Sequence, residues 1–152
     1  MDVIIRTAVS GDLLKIQELS LELLKKEKKE YDSLLNLEEV FDEKGIFRED
    51  GYVFVAVADG EIVGYMSGGL AKVGSFGRLP SVVIAEMETF FVLDKFRSLG
   101  IGKKLYDKFI EWSKGKSADK VRLDVHPGNK LAIKFYRNRN FKDYYLTLEA
   151  DL

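Results

Sequence analysis

Phe96-Arg97-Ser98-Leu99-Gly100-Ile101-Gly102-Lys103 joins a long apolar run, Val82 to Leu93, to a segment in which Ile101, Leu105, Phe109 and Trp112 recur at helical spacing. The stretch therefore reads as a strand turning into a helix. Two glycines and a serine keep side-chain bulk away from this turn, and the first N–H groups of any helix have no intrahelical partner. Such an end attracts phosphate, and Arg97, Lys103 and Lys104 add positive charge around it. A Walker loop does not fit, because it needs a glycine where Arg97 stands and a Ser or Thr where Lys104 stands. A dinucleotide fingerprint does not fit either, since it needs a small residue at Leu105 and a βαβ unit near the start of a parallel sheet. What remains is R-x-x-G-x-G between a strand and a helix. At this level it is either a phosphate cradle of another kind or a glycine-rich turn with no ligand.

Composition narrows the function classes. The chain has 152 residues, 46% of them hydrophobic, enough for one full core, and residues 1–152 read as one domain. A net charge of −1 made of interspersed signs provides no broad basic field, which argues against nucleic acid as a partner. The absence of cysteine removes disulfides, thiolate nucleophiles and cysteine-rich metal sites, and suits a reducing compartment. His126 is the only histidine and sits beside Pro127, a turn position, so no metal is expected. Met1 leads directly into Val3-Ile4-Ile5-Arg6, and no apolar run is long enough to span a bilayer. The expectation is a cytoplasmic protein without a membrane partner.

Taken in order, Asp2 to Thr7 reads as a strand, and Ser10 is expected to cap a helix carrying Leu13, Ile16, Leu19 and Leu23. A second helix is expected over Leu37 to Phe47, with Val40, Phe41 and Phe47 inward and Glu38, Glu39, Asp42 and Glu43 outward. Tyr52 to Ala58 and Glu61 to Ala71 read as antiparallel strands joined by the Asp59-Gly60 hairpin turn. In the second of these, Gly64, Gly68 and Gly69 mark a bulge, a close backbone approach or a strand fraying into the Val73–Pro80 loop, which, with Arg78, borders a substrate entrance. The Val82–Leu93 strand and the loop-and-helix unit follow, then an alternating strand, Lys120 to Val125, placed parallel to the first by a right-handed crossover. His126-Pro127-Gly128 breaks that strand, Asn129 caps a further helix, Asn140 takes a left-handed cap position, and Phe141 to Leu148 supplies a closing strand.

Joined to its flanks, the glycine loop resembles that of the GNAT superfamily of acetyl-CoA-dependent N-acetyltransferases. The flanks are the acid-bearing strand Glu86-Met87-Glu88-Thr89-Phe90-Phe91-Val92 and the N-x-x-A-x-x-F-Y helix Asn129 to Tyr136. The loop departs from the family pattern in having Asp94 and Lys95 where a proline is frequent, and Asn140 replaces the glycine that usually precedes Phe141. The resemblance implies a three-layer α/β (α+β) fold, with a mixed, mostly antiparallel sheet of roughly six or seven strands, about four helices, and a parallel pair splayed at its centre. It also implies acetyl-CoA as co-substrate. Its pyrophosphate would be held by the backbone of Ser98, Leu99, Gly100, Ile101, Gly102 and Lys103, flanked by Arg97. Phe91 and Val92 would pair with the pantetheine arm as though it were a strand, and the Asn129 side chain would bond the same arm, serve as a plain helix cap, or do both.

Direct acyl transfer to an amine needs a neutral amine, a donor for the developing oxyanion and a proton for the departing thiolate. Glu88 is the expected base, with Glu86 two residues earlier on the same face of a regular strand, where desolvation would raise a carboxyl pKa. By their places in the family motifs, Tyr136 is the expected acid and the amide near Val92 the oxyanion donor. The acceptor is a small amine or a peptide amine, and the acidic residues between Leu37 and Phe47 favour a cationic one. The competing reading is a non-catalytic acyl-CoA sensor or partner-binding module, against which the presence of both Glu88 and Tyr136 counts. A homodimer stays open.

Overall fold

Asp59 and Gly60 adopt φ of 49° and 84°, the pair of left-handed residues that a two-residue type I′ hairpin requires. Around that turn, β2 (Gly51–Ala58) and β3 (Glu61–Leu70) pair antiparallel as expected. The computed structural model describes residues 1–38, 42–71 and 82–152. In it β1 (Val3–Thr7) adds to the outside of β2, β4 (Ile84–Val92) pairs antiparallel with β3, and β5 (Lys120–Leu123) pairs parallel with β4. The result is a five-stranded sheet in the order β1-β2-β3-β4-β5.

Alternation along β2 sets the layers. Tyr52, Phe54, Ala56 and Ala58 pack with Ile101, Leu105 and Phe109 of α3 (Ile101–Gly115) and Tyr136 of α4 (Lys130–Arg137). Val53 and Val55 pack on the other face with Ile16 and Leu19 of α1 (Leu13–Glu30). Phe109, Leu105 and Leu19 are fully buried, each removal from water contributing about 1.5–3 kcal/mol.

Four expectations are corrected. Ser10 does not cap α1; Asp12 does the polar work at that helix start, accepting from both Arg6 terminal nitrogens at 2.7 and 2.9 Å and from the Val9 amide at 2.8 Å. The Arg6 hydrogen bonds hold its carboxyl below the ordinary carboxylate range, although burial opposes them. The helix expected over Leu37–Phe47 is a single turn, α2 (Glu43–Ile46), because Asp42 is extended and its Oδ1 accepts from the Gly45 amide at 2.8 Å, starting the helix there. Val40 and Phe41 lie outside the described residues, as does the 72–81 stretch with Arg78. The closing strand over Phe141–Leu148 is absent. Phe141 packs on the core, whereas Tyr144, Leu146 and Leu148 are 74%, 75% and 83% exposed, and β5, only four residues long, offers little edge to pair with. The parallel pair therefore lies at the edge of the described sheet rather than at its centre. Asn140, with φ of 66°, does take the expected left-handed position.

Of the alternatives open for the glycines of β3, a bulge and a close backbone approach are what is found. Ser67 pairs with Thr89 and Gly68 with Met87, which leaves Glu88 as the extra residue of β4. A Cβ on Gly68 would overlap the Glu86 carbonyl oxygen and lie 2.8 Å from the Tyr52 hydroxyl. Gly68→Ala is expected to destabilise the protein by about 1–3 kcal/mol, the range of core overpacking, in urea unfolding. Unchanged stability would show that β4 can shift away from β3 at no cost.

Candidate active site

The site is built where β4 and β5 part. Their pairing runs from Ile84–Lys120 to Met87–Leu123 and then stops. Beyond β5 the chain turns through His126-Pro127-Gly128, with the Gly128 amide donating to His126 Nδ1 at 2.9 Å and the His126 ring stacked on Tyr31 at 4.6 Å. His126 is thus a turn residue. The Leu93 amide donates to the Val63 carbonyl at 2.9 Å, so by alternation the backbone of Phe91 faces β3 while those of Phe90 and Val92 face the open edge. Of the two residues expected to meet a pantetheine arm, Val92 is the one whose backbone is turned outward.

Two side chains flank the point of parting, on opposite faces of the sheet. On the α4 side, Tyr136 is 8% exposed and its hydroxyl donates to Met87 Sδ at 3.4 Å. Burial pushes this phenol well above its ordinary range and keeps it protonated. On the α1 side, Glu88 lines a small cavity of about 20 Å³ with Ile16, Ser20, Tyr65, Ser67 and Thr89. The Glu88 side chain is 45% exposed and lies 2.9 Å from a terminal nitrogen of Arg48. The raised carboxyl expected on this strand is that of Glu86, lifted first by burial and further by Glu88 and Asp124, with Arg122 and Arg48 opposing.

The loop presents its backbone. Ser98 and Gly100 adopt φ of 60° and 77°, and the Lys104 amide makes the first intrahelical bond, to the Gly100 carbonyl at 3.1 Å. The amides of Ile101, Gly102 and Lys103 therefore point out of the helix start. Gly102 packs against Phe90, whose ring would lie 3.2 Å from a Cβ added there. Two of the three basic side chains are already paired: Arg97 donates from Nε to the Val92 carbonyl at 2.9 Å and contacts Asp94 at 2.9 Å, and Lys103 contacts Asp107 at 2.6 Å. Leu99 is 53% exposed. Asn129 Oδ1 accepts from the Ala132 amide at 3.2 Å, the geometry of a cap, leaving its amide nitrogen for another role.

The structure thus brings Glu86, Glu88 and Tyr136 to one end of the β4–β5 pairing, with Val92 facing the gap and the Ser98–Lys103 loop following β4. Sequence reasoning missed Arg48 and Tyr52. Tyr52 is buried, and its hydroxyl donates to the Glu86 carbonyl at 3.2 Å, bracing the bulge. The facing glycines Gly51 and Gly69 were the available signal that something lies across the strands there.

A sheet that parts beside a glycine-rich helix start is the architecture of the acetyltransferase fold. Residues 15–141 match the Acetyltransferase (GNAT) family, and the chain belongs to it. An uncharacterised N-acetyltransferase of Methanocaldococcus jannaschii is 34% identical over 95 residues, which are 62% of this chain and 40% of that protein. An N-alpha-acetyltransferase of Sulfurisphaera tokodaii is 33% identical over 93 residues, 59% of this chain and 56% of that protein. The match thus spans only about half the length of these relatives. Among solved structures, a mutant of the BH1408 protein from Bacillus halodurans superposes with a TM-score of 0.84 at 22% identity, covering 98% of this chain and 99% of that one. AAC(6')-Iy in complex with a CoA bisubstrate analogue gives 0.76 at 20% identity, covering 100% and 99%. At these identities the likeness carries the fold.

The family uses acetyl-CoA, and the observed features fit it: outward amides at the start of α3, no Cβ at Gly102, and an open strand edge at Val92. Gly102→Leu drives a side chain into the Phe90 ring, 3.2 Å from the added Cβ, so that the start of α3 has to shift. Coenzyme A affinity measured by titration calorimetry should fall at least about tenfold, the equivalent of one charge-assisted hydrogen bond, while Arg97→Gln, whose side chain is engaged internally, should lose less. Equal affinity in wild type and Gly102→Leu would exclude the loop as the anion site.

Proposed function

We propose that this protein transfers an acetyl group from acetyl-CoA directly to a primary amine of a small molecule or peptide. The observation that supports this reading is that Tyr136 contacts Met87, the last β4 residue paired with β5, and that Glu88 follows Met87 on the opposite face of the sheet. The coenzyme supplies an activated acyl carbon and departs as a free thiol. Glu88 takes a proton from the acceptor ammonium, so that the nitrogen lone pair is free to form the new C–N bond. Glu86, held in a more protonated range by burial, is the next proton acceptor along the strand. The Val92 amide donates to the oxygen on which negative charge develops. Tyr136 gives its hydroxyl proton to the sulfur as the C–S bond breaks, and the second proton lost by the nitrogen balances it through solvent.

Tyr136 is protonated at neutral pH as any phenol is, and burial, which raises its pKa, keeps it a donor while making it a weaker acid. Relatives named as N-alpha-acetyltransferases support a peptide amine, and the acidic residues around α2 support a cationic acceptor. A cysteine-free chain suits a cytoplasmic setting, and no helix among the described residues is long and apolar enough to cross a membrane.

Thiol release from acetyl-CoA, followed across polyamines, amino acids and N-terminal peptides, should occur with at least one class. Tight coenzyme binding with no release across the panel would overturn the enzymatic reading. With a working acceptor, Glu88→Gln should lower kcat about 100-fold and flatten the acid limb of the rate profile, as expected for loss of a general base. Tyr136→Phe should slow turnover to a similar extent with coenzyme affinity unchanged. A wild-type rate in either variant removes that residue from the mechanism.

A further inference from the structure

Arg48 stands between α2 and β2 and has no part in the chemistry above. One of its terminal nitrogens is 2.9 Å from Glu88 Oε1. The same nitrogen is fully enclosed and makes no hydrogen bond of acceptable geometry. The two charges are therefore close, but the N–H is not aimed at the carboxylate, unlike the directed pairs that make charge-assisted bonds strong. Such a contact is easily exchanged for a better-directed cation.

The guanidinium reaches Glu88 across a floor without side chains. Gly51 and Gly69 are register partners on β2 and β3. A Cβ on Gly51 would lie 2.8 Å from the Gly68 carbonyl oxygen and 3.4 Å from both Cβ and Nε of Arg48, and a Cβ on Gly69 would lie 2.5 Å from the Arg48 terminal nitrogen and 2.9 Å from the Asp50 carbonyl oxygen. The Arg48 side chain thus lies in a trough floored by bare glycine backbone, with Glu88 at its tip. Arg48 is 25% exposed, and it also lines an open depression of about 670 Å³ with Lys44, Phe47, Glu49 and Asp50, space into which it can swing.

We infer that the Gly51–Gly69 trough ending at Glu88 is the subsite for an acceptor with an unbranched aliphatic chain and a terminal cationic nitrogen, and that Arg48 fills it as an internal stand-in which the acceptor displaces. This rests on the reading that Glu88 meets the acceptor amine. What fits the trough now is a methylene stem with a cation at its tip, so a linear alkyl ammonium reproduces both parts of the contact. A branched or ring-bearing amine meets the strands on either side. Displacing Arg48 reduces apparent affinity by the fraction of time it occupies the site.

Ethylguanidinium restores the atoms that Arg48→Ala removes beyond Cβ, and its binding, followed by NMR titration without coenzyme, needs no catalysis. It should bind Arg48→Ala at least about tenfold more tightly than wild type, the scale expected if Arg48 holds the site nine-tenths of the time, and the gain should vanish in Arg48→Ala/Glu88→Gln. Arg48→Met, which retains the stem without the charge, should fall between the two and decides the matter alone if the alanine variant does not fold. In turnover assays, KM for 1,4-diaminobutane should fall in both Arg48 variants with KM for acetyl-CoA unchanged. Ethylguanidinium binding that is equal in wild type and variants, or a gain that survives loss of Glu88, overturns the inference. A Glu88-dependent gain in a protein that acetylates nothing supports the subsite and overturns the enzymatic reading instead.

Discussion

The close approach of β3 and β4 at Gly68 is the constraint on which the rest of the site depends. An extra residue in β4 has to be absorbed somewhere, and it is absorbed by pressing the Glu86 carbonyl onto a strand position that carries no Cβ. Tyr52 reinforces this from the next strand with a hydrogen bond to the same carbonyl. The bulge reorients the strand after Met87, which is also where β5 pairing ends. One local irregularity thus places Glu88 at the start of an unpaired edge while leaving the following residues in register with β3.

Phe90 links that edge to the helices. Its backbone faces the gap, while its ring packs edge-on to Phe135 of α4 at 6.0 Å and against Gly102 at the start of α3. The loop that offers amides to an anion and the helix that carries Tyr136 are therefore indexed to the same strand residue. The charge distribution has a corresponding logic. Arg97 and Lys103 have carboxylate partners of their own, and the outward amides at the start of α3 add fixed backbone dipoles that need no side-chain ordering.

The elements that were legible in the sequence are those set by short-range chemistry. Asp59-Gly60 dictated its hairpin, the 3.6-residue period from Ile101 to Trp112 gave α3, and the glycine-rich turn between strand and helix was read from its residues alone. Asn129 capped as its type and position suggested. What was not legible depends on tertiary competition. Asp12 outcompeted Ser10 because Arg6, on the neighbouring strand, was within reach. Phe141–Leu148 is rich enough in aromatic and apolar residues to read as a strand, but pairing also needs a partner edge, and β5 is too short to provide one. A regular strand would put Glu86 and Glu88 on one face. The bulge makes them unequal, one desolvated beside Arg122 and the other half exposed against Arg48.

That inequality bears on how two adjacent carboxylates share one site. Were both equally buried, mutual repulsion and desolvation would favour keeping one of them neutral. The structure separates them instead: burial puts the cost of ionisation on Glu86, while Glu88 keeps solvent contact and a neighbouring cation. The carboxylate nearer the gap is thus the one that remains available to exchange a positive partner, and the phenol across the sheet is the group that burial holds protonated. The two carboxyls are thus differentiated by their surroundings and not by residue type, and those surroundings follow from where β4 ceases to be an ordinary strand.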